Sequence, residues 1–121
     1  MVMCFAKSVT DPQPLMLDGI SLSSVENFKC LGITINNQLK WENHVNEIVT
    51  KASMRLHILR ILCRFGASVE DLKLIYVSLV RSTLEYSCVV WQGGLTEKLK
   101  TQIERISETG LADNISFLQL Q

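Results

Sequence analysis

Residues 40–63 read KWENHVNEIVTKASMRLHILRILC, and along them Trp41, Val45, Ile48, Val49, Ala52, Leu56 and Leu59 recur at three- and four-residue steps. Such steps keep side chains on one face of an α-helix, which turns once in about 3.6 residues. The stripe holds for more than four turns, so one amphipathic helix from Lys40 to about Cys63 is predicted. Gly66 supplies its stop. Ser68 then stands three residues before Asp71, an N-cap hydroxyl with an acid at the third helical position, so a second helix starts there. Its buried stripe is expected at Leu72, Ile75, Tyr76, Leu79, Val80, Thr83, Tyr86 and Val90, up to Gly93-Gly94. Leu95, Leu99, Ile103 and Ile106 mark a third, shorter helix. Gly110 and the polar Ala112-Asp113-Asn114 follow it, and residues 115–121 receive no assignment.

Upstream of Lys40 the pattern is that of short strands. Residues 1–5 are apolar and read as a strand, and Asp11-Pro12-Gln13-Pro14 breaks the chain twice. Asp18-Gly19 lies between Leu15-Met16-Leu17 and Ile20-Ser21-Leu22, the dipeptide that a type I′ hairpin turn prefers because both central residues need positive φ. The run from Phe28 to Ile35, closing at Asn36-Asn37, reads as the best strand of the chain. The fold class is therefore α+β: a small antiparallel β-module over residues 1–39, a three-helix region over residues 40–106, and a tail over residues 107–121.

The composition sets limits on function. With 121 residues, one compact domain is expected, and 47% hydrophobic against 20% charged residues excludes a disordered chain. Cys4, Cys30, Cys63 and Cys88 are spaced 26, 33 and 25 residues apart, too far for a paired zinc motif, and are expected to pack as thiols. The first residues lack the apolar stretch of a secretory signal, which favours an intracellular, reducing compartment, whether nucleus or cytoplasm. No apolar run reaches the roughly 20 residues of a membrane span. Arg81 and Glu85 interrupt the nearest one.

No complete catalytic constellation is present. Asp11 and Asp18 belong to turns, where a short acid bonds its own backbone, and Glu70-Asp71 suits the first turn of a helix. His44 and His57 stand roughly 140° apart around one helix and cannot share a ligand. There is no G-x-S-x-G elbow and no glycine-rich loop opening a helix. Charge placement says more than the total: residues 40–64 hold five basic and two acidic residues, while each of the three remaining segments carries one excess acid. On a helical wheel Lys40, His44, Lys51 and Arg55 fall within roughly 60°, with Glu42 and Glu47 outside that sector, giving a cationic edge about 22 Å long. Such an edge suits nucleic-acid phosphates, and its plain alternative is a solvated helix face. Trp41 and Trp91 lie on apolar stripes and are expected in the core.

Several spaced motifs resemble the downstream part of the reverse transcriptase of non-LTR (LINE-type) retrotransposons. Phe28-Lys29-Cys30-Leu31-Gly32-Ile33, followed by Leu39-Lys40-Trp41 and His44-Val45, is similar to the family's F-K-x-L-G segment and L-x-W-x-x-H helix start. Lys51-Ala52, Arg55-Leu56 and Leu59 resemble K-A-x-x-R-L-x-x-L. Ser78 to Arg81 with Leu84-Glu85-Tyr86 and Trp91 resembles S-x-x-R-x-x-L-E-Y-x-x-x-x-W, and Ile103-Glu104-Arg105-Ile106 resembles the I-E-R-[IV] helix. The resemblance implies a primer grip at residues 28–33 on the edge of a polymerase palm, and a thumb in the helices. It implies nucleic-acid contact by Lys29, Leu31 and Gly32 in the grip and by Lys40, Lys51 and Arg55 on the thumb helix, with a primer–template RNA/DNA duplex as partner.

Two departures shape the expectation. The family's catalytic aspartates, which hold magnesium, are absent from these residues, so the chain is expected to be non-catalytic alone and to hold no cofactor. After Ile106 the family continues with a basic stretch, whereas here Ser107-Glu108-Thr109-Gly110-Leu111-Ala112-Asp113 follows, which reads as a frameshift or a splice into unrelated sequence. The alternative is a helical protein-interaction module that self-associates through exposed apolar surface, or a remnant reading frame with no selected function.

Overall fold

The computed structural model describes Met3 and residues 13–119. The strand expected at residues 1–5 falls, Met3 apart, outside them, as does Asp11-Pro12. The fold is α+β, as the two sequence periods require: two antiparallel two-stranded sheets followed by helices. The chain divides into two compact units, residues 1–44 and 45–121, with the boundary inside the first helix.

In the first unit, β1 (Met16–Leu17) pairs with β2 (Ile20–Ser21) through Asp18-Gly19. Asp18 and Gly19 take φ values of 48° and 77°, the left-handed pair that makes a type I′ turn and matches the twist of the strands. Outside the ladder, the Leu22 N–H donates to the Leu15 carbonyl at 2.9 Å.

The single strand expected over residues 28–35 is instead two. β3 (Asn27–Cys30) and β4 (Ile33–Asn36) fold back on each other, pairing Phe28 with Ile35, Lys29 with Thr34 and Cys30 with Ile33. The reversal sits at Leu31 and Gly32, with φ of 48° and 82°. Gly32 takes that conformation without steric cost, and the β-rich run then satisfies its own backbone groups across the turn. β-propensity alone does not separate one strand of eight residues from two of four.

In the second unit lies most of α1 (Glu42–Arg64), close to the predicted span. It ends as a Schellman motif: Gly66 at φ 84° lets its N–H reach the Cys63 carbonyl at 3.0 Å, and the Ala67 N–H reaches that of Leu62 at 3.2 Å. Ser68 caps α2 (Val69–Ile75) as expected, its hydroxyl accepting from the Asp71 N–H at 3.2 Å. From there the chain departs from a plain α-helix. A π-helical stretch over Tyr76–Arg81 leads into α3 (Ser82–Glu85).

That wider turn explains which side chains are buried. Leu72, Tyr76, Val80 and Leu84 are all buried, at strict four-residue steps. In an α-helix each such step drifts by about 40°, so the row would wind off the core; π-helical winding holds it in line. Leu79, expected in the stripe, is correspondingly exposed, and so are Tyr86 and Val90, which lie at and beyond the end of α3. The second helix also breaks earlier than predicted, at Ser87 with φ 49°, before α4 (Cys88–Trp91) and a 3₁₀ turn over Gln92–Gly94. The Trp91 indole N–H closes the break by donating to the Tyr86 carbonyl at 3.0 Å.

The core of this unit is Ala52, Leu56 and Leu59 of α1 against Leu72, Tyr76, Val80 and Leu84, with Ile103 and Ile106 of α5 (Glu97–Gln119) packed on it. α5 is longer than the expected third helix, since it runs through Gly110 rather than stopping near it. Gly110 is a point of close approach: a Cβ there would overlap the edge of the Tyr76 ring and stand 3.1 Å from Leu56 Cδ2. Beside it, the Tyr76 hydroxyl donates to the Ser107 carbonyl at 3.3 Å. The segment that departs from the resembled family thus packs, at its first turn, into the core.

Candidate nucleic-acid interface

Lys29, Leu31 and Gly32 are brought together on the β3–β4 hairpin. Leu31 is 85% exposed at its tip, Gly32 adds no side chain, and Lys29 is exposed two residues back. Close approach of another backbone is easiest at such a glycine.

The base of this hairpin is tied down by short polar side chains. Asn27 Oδ1 accepts from Asn36 Nδ2 at 3.2 Å and from Asn43 Nδ2 in the first turn of α1 at 3.1 Å. Asn36 Oδ1 accepts from the Gln38 N–H at 2.7 Å and the Asn36 carbonyl from the Leu39 N–H at 2.9 Å. In a two-residue hairpin the Lys29–Thr34 pair is a non-hydrogen-bonded one, so the Thr34 N–H points away from β3. It donates to His44 Nδ1 at 3.3 Å. An accepting Nδ1 carries no proton, which places the imidazole proton on Nε2. The ring is 1% exposed and meets Trp41 edge-on, with centroids 6.3 Å apart at 74°. The hairpin is therefore presented on a fixed base.

The cationic edge expected along α1 is reorganised. His44 is buried and leaves it. Lys51 Nζ lies 2.8 Å from Glu47 Oε1, one turn back, because i and i+4 side chains meet on a helix surface whatever their sector on an ideal wheel. Arg55 Nη1 donates to the Leu79 carbonyl at 2.7 Å and to the Thr83 hydroxyl. That fastens α1 to the π-helical stretch. Lys40 is exposed in the connection before α1. Lys29, Leu31, Gly32 and Lys40 belong to the first unit, Lys51 and Arg55 to the second. Trp41 and Trp91 are buried, as their apolar stripes imply, which withholds both rings from stacking on bases.

Other cations are engaged on their own helices. Arg81 bonds Glu85 at 2.7 Å and Lys100 bonds Glu97 at 2.9 Å. In each case the hydrogen bond to the carboxylate, and then its charge, raises the cation's pKa.

A cavity of about 540 Å³ opens beside α5, lined among others by Leu84, Cys88, Trp91, Leu95, Ile103 and Glu104. Its walls are mainly apolar, with Glu85, Lys100 and Glu104 among the lining residues and no histidine among those described. Among the described residues no group of three or more His, Cys, Asp or Glu is placed to hold a metal ion. None of their helices is long and apolar enough to cross a membrane.

Sequence reasoning passed over one feature. Met54, Ile58 and Ile61 on α1, with Phe65 just past its end, are all exposed, on the face away from the buried stripe. Their 4-3-4 spacing was the signal, masked by the stronger stripe from Trp41 to Leu59. No family model matches the chain, and neither a curated protein nor a solved structure matches it.

Proposed function

We propose that the chain is the palm-edge and thumb part of a non-LTR reverse transcriptase, which contacts a primer–template duplex and performs no chemistry by itself. The observation that carries this reading is the Phe28–Ile33 segment, the grip-like motif, standing as a hairpin with its Leu31-Gly32 turn exposed on a braced base. A turn of that kind offers backbone groups to a nucleic-acid strand, while Lys29 and Lys40 supply phosphate contacts that fix position without reading sequence. The catalytic aspartates of the resembled family have no counterpart among these residues, so the reading assigns them no catalytic step.

Fluorescence anisotropy with an RNA–DNA hybrid, between about 50 and 200 mM salt, tests it. Binding is expected to weaken as salt rises, and Lys29→Glu combined with Lys40→Glu should lower the salt slope by about two, one per phosphate contact. Affinity that ignores both salt and these substitutions would reject the reading.

A second reading rests on the β1–β2 hairpin, where Leu15, Met16, Leu17 and Ile20 are all exposed. A two-stranded sheet keeps unpaired edges, and an apolar one invites a second copy. Under it, sedimentation shows mass rising with concentration, and Leu17→Lys with Ile20→Lys returns the chain to monomer. A chain that stays monomeric at high concentration dismisses it.

A further inference from the structure

We infer that the outer face of α1 is a docking surface for an amphipathic helix of a partner protein, one with acidic residues flanking its apolar row. This inference is independent of the nucleic-acid reading. Met54, Ile58, Ile61 and Phe65 are 63%, 49%, 37% and 86% exposed. At 100° per residue they fall within a sector of about 60°, and eleven residues at 1.5 Å make the row about 16 Å long. The Phe65 N–H still bonds the Ile61 carbonyl at 3.2 Å, so the row keeps helical geometry to its end. The opposite face of α1 holds Ala52, Leu56 and Leu59 in the core. A helix apolar on two opposite faces is expected to be covered on both.

The charges around the row indicate what covers it. Residues 48–69 contain Lys51, Arg55, Arg60 and Arg64 and no acid. On the wheel Lys51 and Arg64 lie about 50° and 90° to the two sides of the row's midline, with Arg60 beyond Arg64. These are the places that flank a helix–helix seam, where opposite charges select the partner. Glu47, paired with Lys51, stands at the N-terminal end of the row. A second copy of this face would bring the same basic flanks, so the complementary occupant is an acid-flanked helix. A narrow 4-3-4 row suits an interlocking helix, whereas a helix lying on a membrane needs a broader apolar face. Phosphates would leave the four apolar side chains of the midline without a partner.

The full chain is titrated into a labelled synthetic helical peptide of about four turns, with leucines at i, i+4, i+7 and i+11 and glutamates on both flanks. A second peptide replaces the glutamates with lysines. The acid-flanked probe is expected to bind, and Ile58→Asp or Ile61→Asp to weaken it at least about tenfold, as loss of a central apolar anchor does. Both substitutions fall on the exposed face, and far-UV circular dichroism checks that the helices remain; Ile58→Ala with Ile61→Ala gives a second, gentler variant. Equal binding of the lysine-flanked probe, or binding untouched by these variants, overturns the inference. Failure of the acid-flanked probe to bind also overturns it, and Ile58→Asp abolishing self-association in sedimentation, or binding to phosphatidylserine–phosphatidylcholine vesicles, then assigns the face to that other occupant.

Discussion

Gly110→Val is expected to lower the stability of the chain by about 3 kcal/mol, the upper range for forcing atoms into a packed site. In an exposed helix, replacing glycine stabilises, by about 1 kcal/mol for alanine, because glycine loses more backbone freedom on folding. Here the sign reverses. A Cβ at Gly110 meets the Tyr76 ring edge and Leu56 Cδ2, and both side chains belong to the buried core of the helical unit. The ring has little freedom to retreat, since its hydroxyl is bonded to the Ser107 carbonyl. Urea unfolding of the wild type, Gly110→Ala and Gly110→Val should therefore show midpoints falling in that order. A midpoint raised by alanine would mean that α5 does not approach Tyr76 at this point, and that the segment after Ile106 lies off the core.

Arg55→Glu should cost about 2–4 kcal/mol, and Arg55→Met about half of that, because the two substitutions remove the same donor but only one adds a charge of the wrong sign. The guanidinium donates to the Leu79 carbonyl and the Thr83 hydroxyl, which itself donates to the same carbonyl at 2.7 Å. Glutamate would set acceptors against that carbonyl, at the place where the helical run widens into π geometry. Denaturant unfolding checks the order Arg55→Glu, Arg55→Met, wild type, from least to most stable. Equal midpoints for all three would show that Arg55 does not hold the π-helical stretch. The result also governs binding experiments: Lys51→Glu alone reports on the thumb-like helix surface, while a variant that includes Arg55→Glu reports on folding as well.

Much of this architecture is legible in the sequence where one local signal acts without competition. Asp18-Gly19 made its turn, Ser68 capped its helix, Gly66 ended α1, and the stripe from Trp41 to Leu59 went inward. The misreadings share a physical cause, which is that a residue type with two uses was assigned the commoner one. Gly32 lies in a β-rich run and was read as a strand residue, but beside Leu31 it makes the turn. Gly110 was expected to follow the third helix, yet it lies inside α5, where its missing side chain makes room for Tyr76. His44 and Arg55 counted as cations on a wheel, whereas one receives the Thr34 N–H and the other holds Leu79. The π-helical stretch had no sequence signal of its own beyond the four-residue spacing of Leu72, Tyr76, Val80 and Leu84, which only burial distinguishes from a three-and-four pattern.

For the candidate site, the grip-like residues were legible as a motif and not as a shape. Phe28-Lys29-Cys30-Leu31-Gly32-Ile33 marks the segment, but its presentation depends on Asn27, Asn43 and His44, none of which the motif singles out as a brace. Through Asn43 and His44, the first turn of α1 orders the hairpin that precedes it.

The central claim, that the Leu31-Gly32 turn meets a primer–template strand, is tested most directly by titrating an RNA–DNA hybrid into isotopically labelled protein and following backbone amide resonances. Shifts centred on Lys29, Leu31, Gly32 and Lys40, growing with hybrid and reversed by added salt, are the predicted result. Resonances of the hairpin that stay fixed at saturating hybrid would contradict it.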